Sequence, residues 1–346
     1  MSGADSDELL RVEGLSKTFD IRTGFLAKPI KLRALQDISF TLKRGETLGI
    51  VGESGCGKST LGRCILQLLR ADEGKVLWLG QDLLNLHGEE MRQLRGELQI
   101  IFQDPQASLN PRMTVGEIVA EPLRALRPDL NAAERRERVE SMMEGVGLQP
   151  EMVDRFPHEF SGGQAQRIGI ARALISGPKL IVCDEPVSAL DVSIQAQILN
   201  LLSEIKERLG LTLIFISHNL SVVRHVSDRV LVLYLGRIVE LATAGNLYED
   251  PRHPYTRALL TAVPVPDPRR ARQRSIDALQ GEIPSPINPP SGCTFRTRCR
   301  YAIEKCALER PPLVTADDGR QVACHRWREI APDGTILGEK VPATAH

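Results

Sequence analysis

The sequence has no surplus of either charge: Lys and Arg together number 44, and Asp and Glu together number 44. A general nucleic-acid binder needs a basic excess for its phosphate contacts, so the balance argues against that class. Long hydrophobic runs are missing as well. The longest apolar stretches, such as Val230–Leu235 and Leu211–Ile216, fall far short of the ~18–20 residues that span a bilayer. Any membrane role is therefore expected to be peripheral. The stretch from Met1 to Glu8 is acidic and lacks the basic-then-apolar layout of a signal peptide, which predicts a cytoplasmic chain. Cysteine is sparse until late in the chain. Cys56, Cys64 and Cys183 are scattered, whereas Cys293, Cys299, Cys306 and Cys324 fall within 32 residues. In a reducing compartment such a cluster points to metal rather than disulfides.

What is present is a folded chain of 346 residues, 42% apolar and 25% charged, enough for about two domains. Residues 1–260 read as one α/β unit. Short apolar runs recur at Thr47–Val51, Leu98–Phe102, Leu180–Cys183, Thr212–Ile216 and Val230–Tyr234, and such continuous runs suit strands covered on both faces. A mostly helical insertion is expected over about 104–160, with Val139, Met142 and Met143 at helical spacing among charges. No internal repeat is visible. Residues 261–346 read as a second region. Its 264–292 stretch holds seven prolines, with Arg269, Arg270, Arg272 and Arg274 close together, and predicts an extended connector before the cysteines. The tail is expected to stand apart from any site in the first region.

Gly52-Glu-Ser-Gly-Cys-Gly-Lys-Ser59 fits the P-loop pattern G-x-x-x-x-G-K-S/T. It follows one apolar run and precedes a predicted helix from Thr60 to Leu69, the required order of strand, loop and helix. Glycines let backbone N–H groups turn inward around a polyphosphate, and the helix start adds its positive dipole. Lys58 supplies a point charge at the β- and γ-phosphates, and Ser59 can ligate Mg²⁺. Gly52, Glu53, Ser54, Gly55, Cys56, Gly57, Lys58, Ser59 and Thr60 are thus the expected phosphate-binding residues.

Open parallel sheets bind ligands beyond the carboxyl ends of their strands. Asp184 and Glu185 follow the third run, His218 the fourth, and Gln103 the second. Together they offer a Mg²⁺ acceptor, a carboxylate base, an imidazole and an amide for one γ-phosphate. A GTPase reading fails because no Asn-Lys pair exists for guanine and no Asp-x-x-Gly follows the loop. Ser161-Gly-Gly-Gln164 opens a further helix, with Ser161 as N-cap. That makes a second anion-receptive helix start, and one nucleotide cannot easily occupy both.

These residues resemble the nucleotide-binding subunit of an ABC transporter: Walker A Gly52–Ser59, Q-loop Gln103, signature Ser161–Gln164, Walker B Leu180–Asp184 with Glu185, D-loop Ser188–Asp191 and switch His218. Phe160 stands where the family usually has Leu. The resemblance implies an α/β P-loop ABC-type domain with a helical subdomain and a C-terminal cysteine-rich extension. It implies ATP and Mg²⁺ as ligands, with Ser59, Gln103 and Asp184 around the metal. Glu185 would act as base, His218 would contact the γ-phosphate and stabilise the developing charge, Gln103 would sense the phosphate, and Gly162, Gly163 and their neighbours would complete the site of a second copy. Phe19 sits where the family stacks an aromatic on adenine; a core position in an early strand is the alternative.

Finer resemblance is to the dipeptide and oligopeptide importers, through Phe102–Pro105, Ser108–Val115, His253–Leu260 and Gly281-Glu-Ile-Pro-Ser-Pro286. It implies a second ATPase subunit, identical or related, and two transmembrane permease subunits. It also implies an extracytoplasmic peptide-binding protein, a place on the cytoplasmic face of the inner membrane, and no nucleic acid. Relatives that carry nickel or glutathione are an alternative, as is a soluble ABC-type ATPase acting on ribosomes or DNA. The cysteine spacings of five, six and seventeen are like those of the family tail that holds a 4Fe–4S cluster. Spacing alone does not choose the metal, but the close cysteine pairs of zinc ribbons are missing.

Overall fold

The computed structural model describes residues 7–22, 29–261, 281–331 and 335–336. The arginine group 269–274, the prolines at 264, 266 and 268, and residues 1–6 of the Met1–Glu8 stretch lie outside them. The first described elements are two long strands, β1 (Glu8–Ile21) and β2 (Ile30–Lys43). The short β3 (Thr47–Val51) follows, buried at every position. β4 (Glu73–Trp78) and β5 (Gln81–Asp82) join the first pair in an antiparallel sheet of order β2-β1-β4-β5.

The apolar runs build the second sheet. β6 (Leu98–Ile101), β7 (Leu180–Asp184), β8 (Thr212–Ile216) and β9 (Arg229–Tyr234) lie parallel with β3 in the order β9-β3-β8-β7-β6. β10 (Arg237–Thr243), β12 (Gln321–Val322) and β11 (Val314–Thr315) extend it antiparallel beyond β9. Both faces of the parallel part are covered. Leu48, Ile50, Val182, Ile214 and Leu231 pack into one apolar core, and Val51, Ile181, Cys183, Phe215 and Val230 into another.

Helix α1 (Lys58–Ile65) follows β3 and α2 (Gly88–Leu94) precedes β6, whereas α3 (Val115–Leu126), α4 (Ala132–Gly145) and α5 (Gly162–Leu174) follow one another between β6 and β7. They are followed by α6 (Val192–Leu209), α7 (Leu220–Val226), α8 (Ala244–Glu249) and α9 (Pro254–Thr261). α3 and α4 lie within residues 104–160. Both open on capping boxes, Thr114 with Glu117 and Asn131 with Glu134. Val139 and Met143 face inward, while Met142 is only partly covered.

Two features differ from the sequence expectation. α1 begins two residues earlier and ends four residues sooner than the expected Thr60–Leu69 helix; Gln67, at φ 53°, is left-handed and cannot continue it. The cysteine-bearing tail does not stand apart. Phe295 is buried, edge-on to Tyr234 at 5.3 Å and beside Tyr255 at the same distance. Among the described residues, no helix is long and apolar enough to cross a membrane.

Candidate functional site

The strand β3, loop 52–57 and helix α1 set the geometry. Gly52, at φ 153°, passes so close to β9 that a Cβ there would stand 2.2 Å from the Leu233 carbonyl oxygen. Gly57, at φ 109°, leaves 2.5 Å to the Ala34 carbonyl. Any side chain at either point would push the loop off its seat. Lys58 is buried, and its Nζ donates to the carbonyls of Gly52 at 2.8 Å and Glu53 at 3.1 Å. Among the described residues no carboxylate pairs with it, so its charge is available to a phosphate.

Ser59 Oγ donates to Asp184 Oδ1 at 2.7 Å. The two oxygens are hard donors of the kind Mg²⁺ prefers, and a hydroxyl and a carboxylate already this close fit one metal ion. Burial pushes the Asp184 carboxyl up from the ordinary range, opposed by the Ser59 hydrogen bond. Glu185 occupies a left-handed backbone position, φ 49°, where its N–H donates to the Ile216 carbonyl at 3.0 Å. Its Oε2 accepts from Gln103 Nε2 at 3.3 Å and lies 3.0 Å from His218 Nδ1. Three strand ends thus converge on one carboxylate oxygen.

A cleft of about 550 Å³ gathers these groups, a size suited to a nucleotide. Phe19, Ser54, Gly55, Gly57, Lys58, Ser59, Thr60, Gln103, Glu185 and His218 line it. Phe19 is half-buried there, outside both apolar cores, with Lys17 Nζ 5.6 Å from its ring centroid. Gly52, Glu53, Cys56 and Asp184 are not among the residues that line it. Ser161, Gly162, Gly163 and Gln164 are not in this cleft. They form their own capping box at the start of α5: the Gln164 amide oxygen accepts from the Ser161 N–H at 3.0 Å, and Ser161 Oγ accepts from the Gln164 N–H at 3.4 Å.

Comparison with known proteins agrees with this layout. The family described as "ABC transporter" matches residues 35–188, and "Oligopeptide/dipeptide transporter, C-terminal region" matches residues 239–306. The oligopeptide transport ATP-binding protein OppF of Haemophilus influenzae is 57% identical over 91% of this chain and 96% of its own. The chain belongs to the ATP-binding proteins of the oligopeptide ABC transporter family. OppF of Salmonella typhimurium is 59% identical over 88% of this chain and 92% of its own. AppF of Bacillus subtilis is 51% identical over 94% of this chain and all of its own. Among solved structures, the dimeric ATP-binding cassette MJ0796 bound to ADP and Pi has 29% identity and a TM-score of 0.61. It covers 68% of this chain and 99% of its own.

As an ABC ATPase this chain uses ATP and Mg²⁺. The sequence reading missed the contribution of its C-terminal family region to the site. Pro286 lines the nucleotide cleft. Arg298 reaches the phosphate loop, its Nη1 and Nη2 donating to the Glu53 carboxylate at 2.6 and 3.0 Å. Tyr255 Oη accepts from the Glu53 N–H at 2.9 Å. The expectation of a tail remote from the nucleotide is therefore corrected: the buried aromatic group Tyr234, Tyr255 and Phe295 docks it directly behind the loop.

None of the four tail cysteines forms a disulfide with another cysteine among the described residues. Burial pushes Cys299 and Cys324 up to about 12, and the neighbouring cysteines add to the rise in both. The Cys293 N–H donates to the Cys306 carbonyl at 2.8 Å. The four side chains thus sit within electrostatic reach of one another. Among the described residues, however, no three His, Cys, Asp or Glu side chains are grouped closely enough to hold a metal ion.

Proposed function

We infer that this chain is the ATP-binding subunit that powers uptake of oligopeptides through an ABC importer. The observation that carries the reading is the convergence of Gln103 and His218 on Glu185 beside Lys58, in a chain 57% identical to an oligopeptide transport ATP-binding protein over almost its whole length. In this reading Lys58 and the loop amides bind the β- and γ-phosphates, and Phe19 stacks on the base. Ser59, Asp184 and Gln103 hold Mg²⁺, which neutralises phosphate charge when bound. Glu185 orients and deprotonates the attacking water. His218 contacts the γ-phosphate, and Gln103 links the phosphate to the helical insertion of residues 104–160.

The signature Ser161–Gln164 lies outside its own chain's cleft, which supports a head-to-tail pair in which it covers the nucleotide of a second ATPase subunit. Two transmembrane permeases and an extracytoplasmic peptide-binding protein complete the assembly, with this chain peripheral on the cytoplasmic face of the membrane. We further propose two regions, 1–260 for ATP and 261–346 for the tail. In the tail Cys293, Cys299, Cys306 and Cys324 hold a 4Fe–4S cluster. Four cysteines spaced by five, six and seventeen residues, late in a chain otherwise poor in cysteine, support that assignment.

Uptake of a labelled tripeptide by cells carrying the complete importer tests the reading. It should be lost with Lys58→Ala and restored by the wild-type chain. Uptake of nickel or glutathione instead of peptide, or co-purification with ribosomes rather than permeases, would overturn the peptide assignment.

A further inference from the structure

Glu53 places a carboxylate inside the loop that is to receive a polyphosphate. Left unpaired, that charge would repel the ligand. The structure answers it from the far end of the chain, 245 residues away, with the planar fork of Arg298. The Arg298 side chain is 4% exposed and that of Glu53 19%, so little solvent screens the pair. Arg298 also lies 6.0 Å from the Tyr234 ring centroid. The same Glu53 offers its carbonyl to Lys58 and its N–H to Tyr255, so its position sets where the phosphate-binding lysine rests.

We propose that Arg298 is a positioning residue for the phosphate loop: it neutralises and anchors Glu53, so that nucleotide affinity depends on the seating of the C-terminal region. The inference rests on the reading of loop 52–59 as the nucleotide site. Arg298 itself touches no reacting atom in this scheme. It acts by removing a repulsive charge and by holding the loop's first turn against β9 and α9. The adjacent Cys299 places this anchor within the cysteine segment, so any change that unseats that segment also frees Glu53.

The test is MgATP binding by the full-length chain, measured by isothermal titration, with steady-state ATPase as a second readout. Arg298→Ala should weaken MgATP binding by about tenfold or more, because it leaves a partly buried carboxylate without its partner. The loss should appear mainly in KM, with kcat changed much less, since Glu185 and His218 are untouched. Arg298→Lys keeps the charge without the fork and should fall between. The deciding variant is Arg298→Ala with Glu53→Gln: deleting the orphaned charge should recover most of the lost affinity. A purely structural role of Arg298 would not produce that rescue. If Arg298→Ala fails to fold, the lysine variant and the double variant carry the comparison. Binding by Arg298→Ala within twofold of wild type, or a double variant as weak as the single one, would overturn the inference. Failure of the wild-type chain to bind MgATP at all would instead overturn the nucleotide-site reading.

Discussion

Glu185 Oε2 lies 3.0 Å from His218 Nδ1, bridging the ends of β7 and β8, which are adjacent strands of the parallel sheet. The contact orients the carboxylate toward the cleft that Lys58 and Ser59 also line. Holding it costs a left-handed backbone at Glu185, φ 49°, a conformation that a non-glycine residue adopts only under constraint from its surroundings.

Glu185→Gln should bind MgATP as tightly as wild type and lose nearly all hydrolysis. The amide is close to isosteric but cannot take a proton, and a positioned base contributes ~10²–10⁴-fold. Phosphate release under saturating ATP measures it. Turnover equal to wild type would remove Glu185 from the base role.

Ser161 is expected to act across a dimer, because it caps α5 outside the cleft of its own chain. Ser161→Arg and Lys58→Ala proteins should each be inactive, and a mixture should regain activity through one intact composite site. Where the native partner is a related subunit, the mixing is done with that subunit. Proportional inactivity at every mixing ratio would confine the site to one chain.

The parallel sheet was legible because its strands are fully buried and therefore apolar at consecutive positions, as in Thr47–Val51 and Thr212–Ile216. Polar residues following such runs stand out, which is why Gln103, Glu185 and His218 could be picked from the sequence. The antiparallel sheet was not legible. β1 and β2 alternate poorly because their pairing shifts register between Val12 and Leu15 and again between Leu15 and Lys17, so no period of two survives. The Glu53–Arg298 pair was invisible for a different reason. Two charged residues 245 apart carry no local pattern, and it is the docking of the tail, with Phe295 packed against Tyr234 and Tyr255, that brings them together.

Cys299→Ser should remove iron from anaerobically purified protein, which in the wild type should be brown with broad absorbance near ~400 nm. Colourless wild-type protein with stoichiometric zinc would overturn the cluster assignment. Because Arg298 precedes Cys299 and grips Glu53, the variant should also weaken MgATP binding by a few-fold. The metal and the loop are then read separately, by iron content and by nucleotide titration.

His253 gives the chain an acid-sensitive joint between the ATPase body and the tail. Burial lowers its pKa from 6.5 to about 3. Its Nδ1 accepts from the Tyr255 N–H at 3.0 Å, and its ring lies 5.9 Å from Phe295. The folded state therefore holds the imidazole neutral while the unfolded state protonates it below about pH 6.5. The unfolded chain binds the extra proton, so stability falls as pH drops from about 6.5 toward 3 and is flat above that window. Glu240 works in the opposite sense. Its carboxylate accepts the Arg252 and His253 N–H groups at 2.8 and 2.9 Å, and burial raises its pKa, so its contribution is lost as pH rises. A comparison of variants separates the two. His253→Gln should lower stability at pH 7.5 yet show a shallower fall of the melting temperature between pH 6.5 and 4.5 than wild type. Parallel melting curves for the two proteins across that range would show that the imidazole does not titrate on unfolding.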